Sequence, residues 1–179
     1  NRKNILGSRF GTDLNLTNNI LQVYYTIDRE MGSGGGLIAE ALSKKLGIKL
    51  YDYELIEKTA KEAGLPAEDV MKRDERPGSY ILKNRPNTMK LFFSADPESR
   101  AKVVSEKIHI SYPDALKVVK HEDAQRINYC RHFTGTDWGI AAHYGMTLHT
   151  SDYGLDNSVK LVLEAMNHAT CMLSHDESS

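Results

Sequence analysis

Cysteine is scarce in this chain: Cys130 and Cys171 are the only two among 179 residues. Two are too few for a disulfide framework and suit a reducing compartment. One-sided charge is missing as well, since 23 Lys and Arg face 24 Asp and Glu, for a formal charge of −1. That balance gives no global pull toward nucleic acid or anionic lipid. No apolar stretch reaches the length of a membrane span, and no charged-then-apolar leader opens the sequence. Hydrophobic residues at 40% and charged residues at 26% are ordinary globular usage, which excludes wholesale disorder. A chain of this length buries roughly 70% of its unfolded surface and needs no staples. The expectation is a soluble, cytoplasmic single domain with no nucleic-acid or membrane partner; a homodimer is left open.

Residues 1–19 are polar and rich in Asn, without a sustained period of 2 or 3.6, and read as an N-terminal arm or expression remnant. The domain is expected over 20–175. A β-branched and aromatic run at 20–27 predicts a buried strand. It runs through Asp28 and Arg29 into the cluster Gly32-Ser33-Gly34-Gly35-Gly36. Leu37, Ile38, Ala41, Leu42 and Leu46 then recur at helical spacing, and Gly47 supplies the stop. Residues 48–51 read as a second strand, and Asp52 as the N-cap of a helix over 53–63, with a shorter helical piece at 66–73. Strands are predicted again at 89–95 and 144–150. Helices are predicted at 97–107, capped by Asp96, at 113–132 and at 156–170. Strands alternating with helices predict an α/β fold, a parallel sheet with helices on both faces. Ligands in such sheets bind at the carboxyl ends of the strands, where the glycine cluster lies.

Glycines let backbone N–H groups converge without side chains in the way, and a following helix adds its unpaired amides and the positive end of its dipole. Gly32 to Leu37 therefore read as a phosphate cradle; the competing reading is a flexible strand–helix turn with no ligand. The cluster departs from the regular P-loop, G-x-x-x-x-G-K-[ST]. Gly36 stands at the lysine position and Leu37 at the hydroxyl position, so the loop supports phosphate binding better than catalysis.

The stretch from Thr26 to Gly35, with Ile38-Ala39-Glu40 and Leu46 to Ile56, resembles the cytidylate kinase-like family, P-loop proteins related to nucleoside monophosphate kinases. The similarity resumes at Tyr80 to Asn87, Ala95 to Arg100, Asp123-x-x-Arg126-x-x-Tyr129, Thr134-Gly135-x-x-Trp138 and Tyr144 to Gly154. It implies a three-layer P-loop NTPase-type sheet with a helical lid, and transfer of the γ-phosphoryl of ATP, with Mg2+, to a nucleoside monophosphate such as CMP. The alternative is a non-catalytic nucleotide- or phosphate-binding protein with a degenerate P-loop. The family carries arginine where this chain has Gly36, and a strand ending in Gly-Arg before the Tyr80 motif. Here Arg76-Pro77 runs directly into Gly78, so a stretch is expected to be missing between 77 and 78.

The resemblance makes Arg126 the lid arginine that contacts phosphate, with Asp123 orienting it or the substrate; the competing reading is a helix-surface ion pair. Arg29, just before the cluster and shared with the family motif, is expected to replace part of the cation missing at Gly36, with a Lys or Arg from the missing segment as the alternative. Asp28 reads either as holder of a Mg2+-bound water or as a cap on the loop amides, and Asp52 either as part of the acceptor region or as a plain N-cap. Arg100 and Arg131 are further lid candidates, with solvated surface as the alternative for each. Trp138, Tyr129 and Tyr144 read as core aromatics or as a base-stacking set. His168, Cys171 and His175 make a poor zinc site, and Cys130 reads as packing, so no metal ligand is assigned in the protein.

Overall fold

A computed structural model describes residues 4–7, 24–51 and 88–175. Strand β1 is Asn4–Gly7, β2 Tyr24–Arg29 and β3 Leu50–Tyr51, with helix α1 at Gly35–Leu46 between the last two. Strand β4 is Thr88–Ser94, followed by α2 at Pro97–Ile108 and α3 at Tyr112–Thr134. A 3-10 turn at Ala141–His143 leads to β5, Met146–His149, and then to α4, Thr150–His175, which is broken at Gly154. The five strands form one parallel sheet in the order β3-β1-β2-β4-β5. The predicted Asp52 cap, the helices at 53–63 and 66–73, and the Tyr80 motif lie outside the described residues.

The main core lies between the sheet and the helices α1 and α4. Tyr25, Ile27, Leu91, Phe93 and Leu148 meet Ile38 and Leu42 from α1 and Val159, Val162 and Met166 from α4. Ile38 and Leu42 are fully buried one helical turn apart, and such a side chain contributes about 1.5–3 kcal/mol by leaving water. A second core joins α2 and α3 through Ala101, Val104, Ala115 and Val119, with Met31 packed against it. Side chains alternate along a strand, so Asp28 and Phe92, paired in register, occupy the face opposite Phe93. On that face Trp138 and Tyr144 stack against Phe92, at centroid distances of 5.1 and 4.9 Å.

One expectation is corrected. Residues 1–19 are not wholly an arm, because Asn4–Gly7 pairs in parallel with β2 on one side and β3 on the other. Four residues with no period become a strand because two neighbours present unpaired backbone groups to them. In the sheet order β1 lies between β3 and β2. Asp96 holds the N-cap position of α2 as expected, yet its side chain makes no capping bond and its carboxylate lies 3.7 Å from His149 Nε2. Among the described residues no helix is long and apolar enough to cross a membrane.

Candidate functional site

The loop between β2 and α1 is pinned at both ends. Glu30 N–H donates to the Phe93 carbonyl at 3.0 Å, and Ser33 N–H to the Glu30 carbonyl at 3.2 Å. Gly32 passes so close to α2 that a Cβ there would sit 2.7 Å from the Arg100 carbonyl oxygen. Gly34 is the N-cap of α1 at φ 78°, a left-handed backbone that suits glycine. The helical ladder opens with Ile38 N–H to the Gly34 carbonyl at 3.0 Å, so the amides of Gly35, Gly36 and Leu37 precede it and have no partner within the helix. The Ser33 amide is spent in the turn. Donors for an anion therefore come from residues 34–37, while Gly32 and Ser33 shape the approach.

Three features make this helix start electropositive. No acidic residue stands in the first turn of α1. Arg29 lies alongside it, with Nε 3.6 Å and Cζ 3.8 Å from where a Cβ on Gly36 would be. The helix dipole adds its positive end. Ser33 Oγ, in a residue only 3% exposed, is buried with no hydrogen-bond partner among the described residues. An unmet buried hydroxyl beside a ring of amides fits a ligand rich in acceptor oxygens.

Arg100 bonds several groups near the loop. It is 4% exposed, donates Nε to the Ala95 carbonyl at 3.1 Å, and forks onto Asp123 at 3.0 and 2.8 Å. Glu30 stands 3.3 Å away and also accepts the Ala95 amide. Arg100 thus locks α2, α3 and the loop together. Asp123 and Arg126 share a helix face, and Asp123 is engaged by Arg100. Arg126 donates Nη1 to the Arg29 carbonyl at 2.7 Å and places Cζ 5.8 Å from the centre of the Trp138 ring. Arg131 pairs with Asp137 at the exposed end of α3. Between α3, the Trp138 loop and the end of β4 lies a cavity of about 350 Å3 lined by Glu30, Asp123, Ser94, Thr147, Phe92 and Trp138.

Asp28 is buried and accepts the Tyr144 hydroxyl at 3.0 Å, a contact to which the sequence did not point. Burial pushes its carboxyl up from the ordinary value; the Tyr144 bond and the charges of Arg126, Lys90 and Arg29 oppose this without prevailing. The Tyr144 hydroxyl is raised as well, by burial first and the neighbouring Asp28 second. A carboxyl raised in the fold supports stability while protonated, and that support is lost as pH rises through the folded-state value. Asp28→Asn keeps an acceptor for Tyr144 and removes the buried charge. It should raise the melting temperature at neutral pH, each kcal/mol gained being worth about 2–4 °C in a chain of this size. The gain should vanish once pH falls below the ordinary carboxylate range, as thermal scans at several pH values would show. A lower melting temperature at neutral pH would contradict the assignment.

The parallel sheet, the glycine turn and the helix that follows define an α/β protein, an arrangement consistent with a P-loop-like fold. By sequence the chain matches the cytidylate kinase-like family over residues 25–79 and 76–152, and it belongs to that family. The two stretches overlap at residues 76–79, the region in which the sequence leads one to expect a missing stretch. Among solved structures the chain is similar to an uncharacterized protein from Eubacterium ventriosum ATCC 27560, with TM-score 0.67 and 24% identity. That similarity covers 82% of this chain and 99% of the other, and speaks for the fold. No curated protein matches the chain.

Proposed function

We propose that the protein is a nucleotide-dependent phosphotransferase that moves the γ-phosphoryl of ATP to a phosphate oxygen of a nucleoside monophosphate such as CMP, releasing ADP and the nucleoside diphosphate. The observation that carries this reading is the electropositive loop: helix-start amides at residues 34–37, the Arg29 guanidinium beside Gly36, and the unmet Ser33 hydroxyl. These groups hold the donor phosphates. The acceptor occupies the cavity next to the loop, its base against Trp138 and Phe92 and its polar groups toward Asp123, Glu30, Ser94 and Thr147. Arg126, tied to the carbonyl of Arg29, sits at the junction of the two and swings onto phosphate when substrates bind. Arg100 positions Asp123 and Glu30. Substrates of this kind belong to the cytoplasm.

Mg2+ accompanies ATP in such transfers, but the residues here do not fit a protein-held ion. Leu37 stands where a P-loop hydroxyl ligand would be, and among the described residues no cluster of three His, Cys, Asp or Glu could hold a metal. No residue is assigned to it.

A second reading, a phosphate-binding protein without turnover, is favoured by the absence of a side-chain cation at Gly36. Incubation with ATP, Mg2+ and a panel of nucleoside monophosphates separates the two. The first reading expects nucleoside diphosphate to form, with turnover falling by about 100-fold or more in Arg126→Ala. Saturable ATP binding with no product from any acceptor would favour the second.

A further inference from the structure

We infer that Thr150, the first residue of α4, is the positioning residue that aims the Gly34 amide into the phosphate cradle. The inference rests on the reading of the loop as a phosphate site. Thr150 is 6% exposed, and its Oγ1 lies 2.7 Å from the Ser33 carbonyl oxygen and 3.1 Å from the Ser94 carbonyl oxygen. Both oxygens are acceptors, so the hydroxyl donates its single proton toward them, and the shorter bond goes to the loop.

A trans peptide unit is planar, with its C=O and the next N–H pointing in opposite directions. Drawing the Ser33 carbonyl toward Thr150 therefore turns the Gly34 N–H the other way, away from α4. Gly34 at φ 78° sits next to the helical amides of Gly35 and Gly36, the alternation of left- and right-handed backbone that makes successive N–H groups converge on one anion. The Ser94 bond ties the same hydroxyl to the end of β4, so the peptide is referenced to the sheet. Leu155, one turn further along, fills the space beside Gly34 where a side chain would be. The start of α4 thus holds the loop by one polar contact and one apolar contact.

The test compares wild type, Thr150→Val and Thr150→Ser for binding of inorganic tripolyphosphate by calorimetry, with melting temperature measured alongside. Valine keeps the shape and loses the proton donor; serine keeps the donor. Thr150→Val should weaken tripolyphosphate about tenfold, the scale of one misdirected charge-assisted bond, and Thr150→Ser should recover most of it. A merely structural role would move melting temperature and not this pattern of loss and rescue. Undiminished binding in a folded Thr150→Val overturns the inference and leaves the cradle standing, whereas no binding by wild type overturns the cradle itself. Should Thr150→Val fail to fold, the Gly34 amide resonance of 15N-labelled wild type decides. A large shift on adding tripolyphosphate supports the assignment, and an unmoved resonance beside shifting Gly35 and Gly36 signals overturns it.

Discussion

Arg100→Met should lower the melting temperature by on the order of 10 °C. The substitution keeps an apolar stem of similar length but leaves Asp123 and Glu30 without the cation they share. Removing one partner from a buried ionic cluster costs about 3–5 kcal/mol, because the remaining charge is stranded. For a chain of this size each kcal/mol is worth about 2–4 °C. The Ala95 carbonyl loses its donor at the same time. Adding Asp123→Asn to the same chain should recover part of the loss, since one stranded charge is then neutral. Thermal unfolding followed by circular dichroism is the check. A shift of no more than a degree or two would mean that Arg100 is not the tie between α2, α3 and the loop.

Arg29→Met should weaken ATP binding by about 10- to 100-fold, the range for losing one or two charge-assisted hydrogen bonds to phosphate. Methionine preserves the stem that packs against Gly35, so the local fold is kept. The space at Gly36 offers a way back. A side chain built there starts beside the Arg29 guanidinium, with no atom closer than 3.6 Å to its Cβ. Gly36→Lys in the Arg29→Met background should therefore restore much of the affinity. Unchanged ATP affinity in Arg29→Met, measured by calorimetry, would remove Arg29 from the site.

The parts of this architecture that are local were legible in the sequence. The glycine turn and the helix start are contiguous, so Gly32 to Leu37 and the apolar spacing of Ile38 and Leu42 point to them directly. The helix stops at Gly47 and Gly135 are legible for the same reason: a left-handed residue ends a helix within one turn. The non-local parts were not legible. Arg100 and Asp123 are 23 positions apart, Tyr144 and Asp28 116, and Thr150 and Ser33 117. No period or spacing rule joins such pairs; only the register of the sheet and the packing of α3 and α4 bring them together. For Asp123 the i, i+3 spacing to Arg126 is legible, but the ion pair with Arg100 is not, because a helix face says which residues are neighbours and not every partner each takes. Strand β1 was missed because four residues carry too little pattern to outweigh a polar surrounding. Its identity as a strand comes from the backbone groups of β2 and β3 on either side.

The most direct test of the central claim is a crystal structure of the protein soaked with ADP. The β-phosphate should lie within hydrogen-bond distance, about 2.9 Å, of backbone amides from residues 34–37, with the Arg29 guanidinium on the same phosphate. A nucleotide bound elsewhere on the molecule, with those amides facing only solvent, would contradict it.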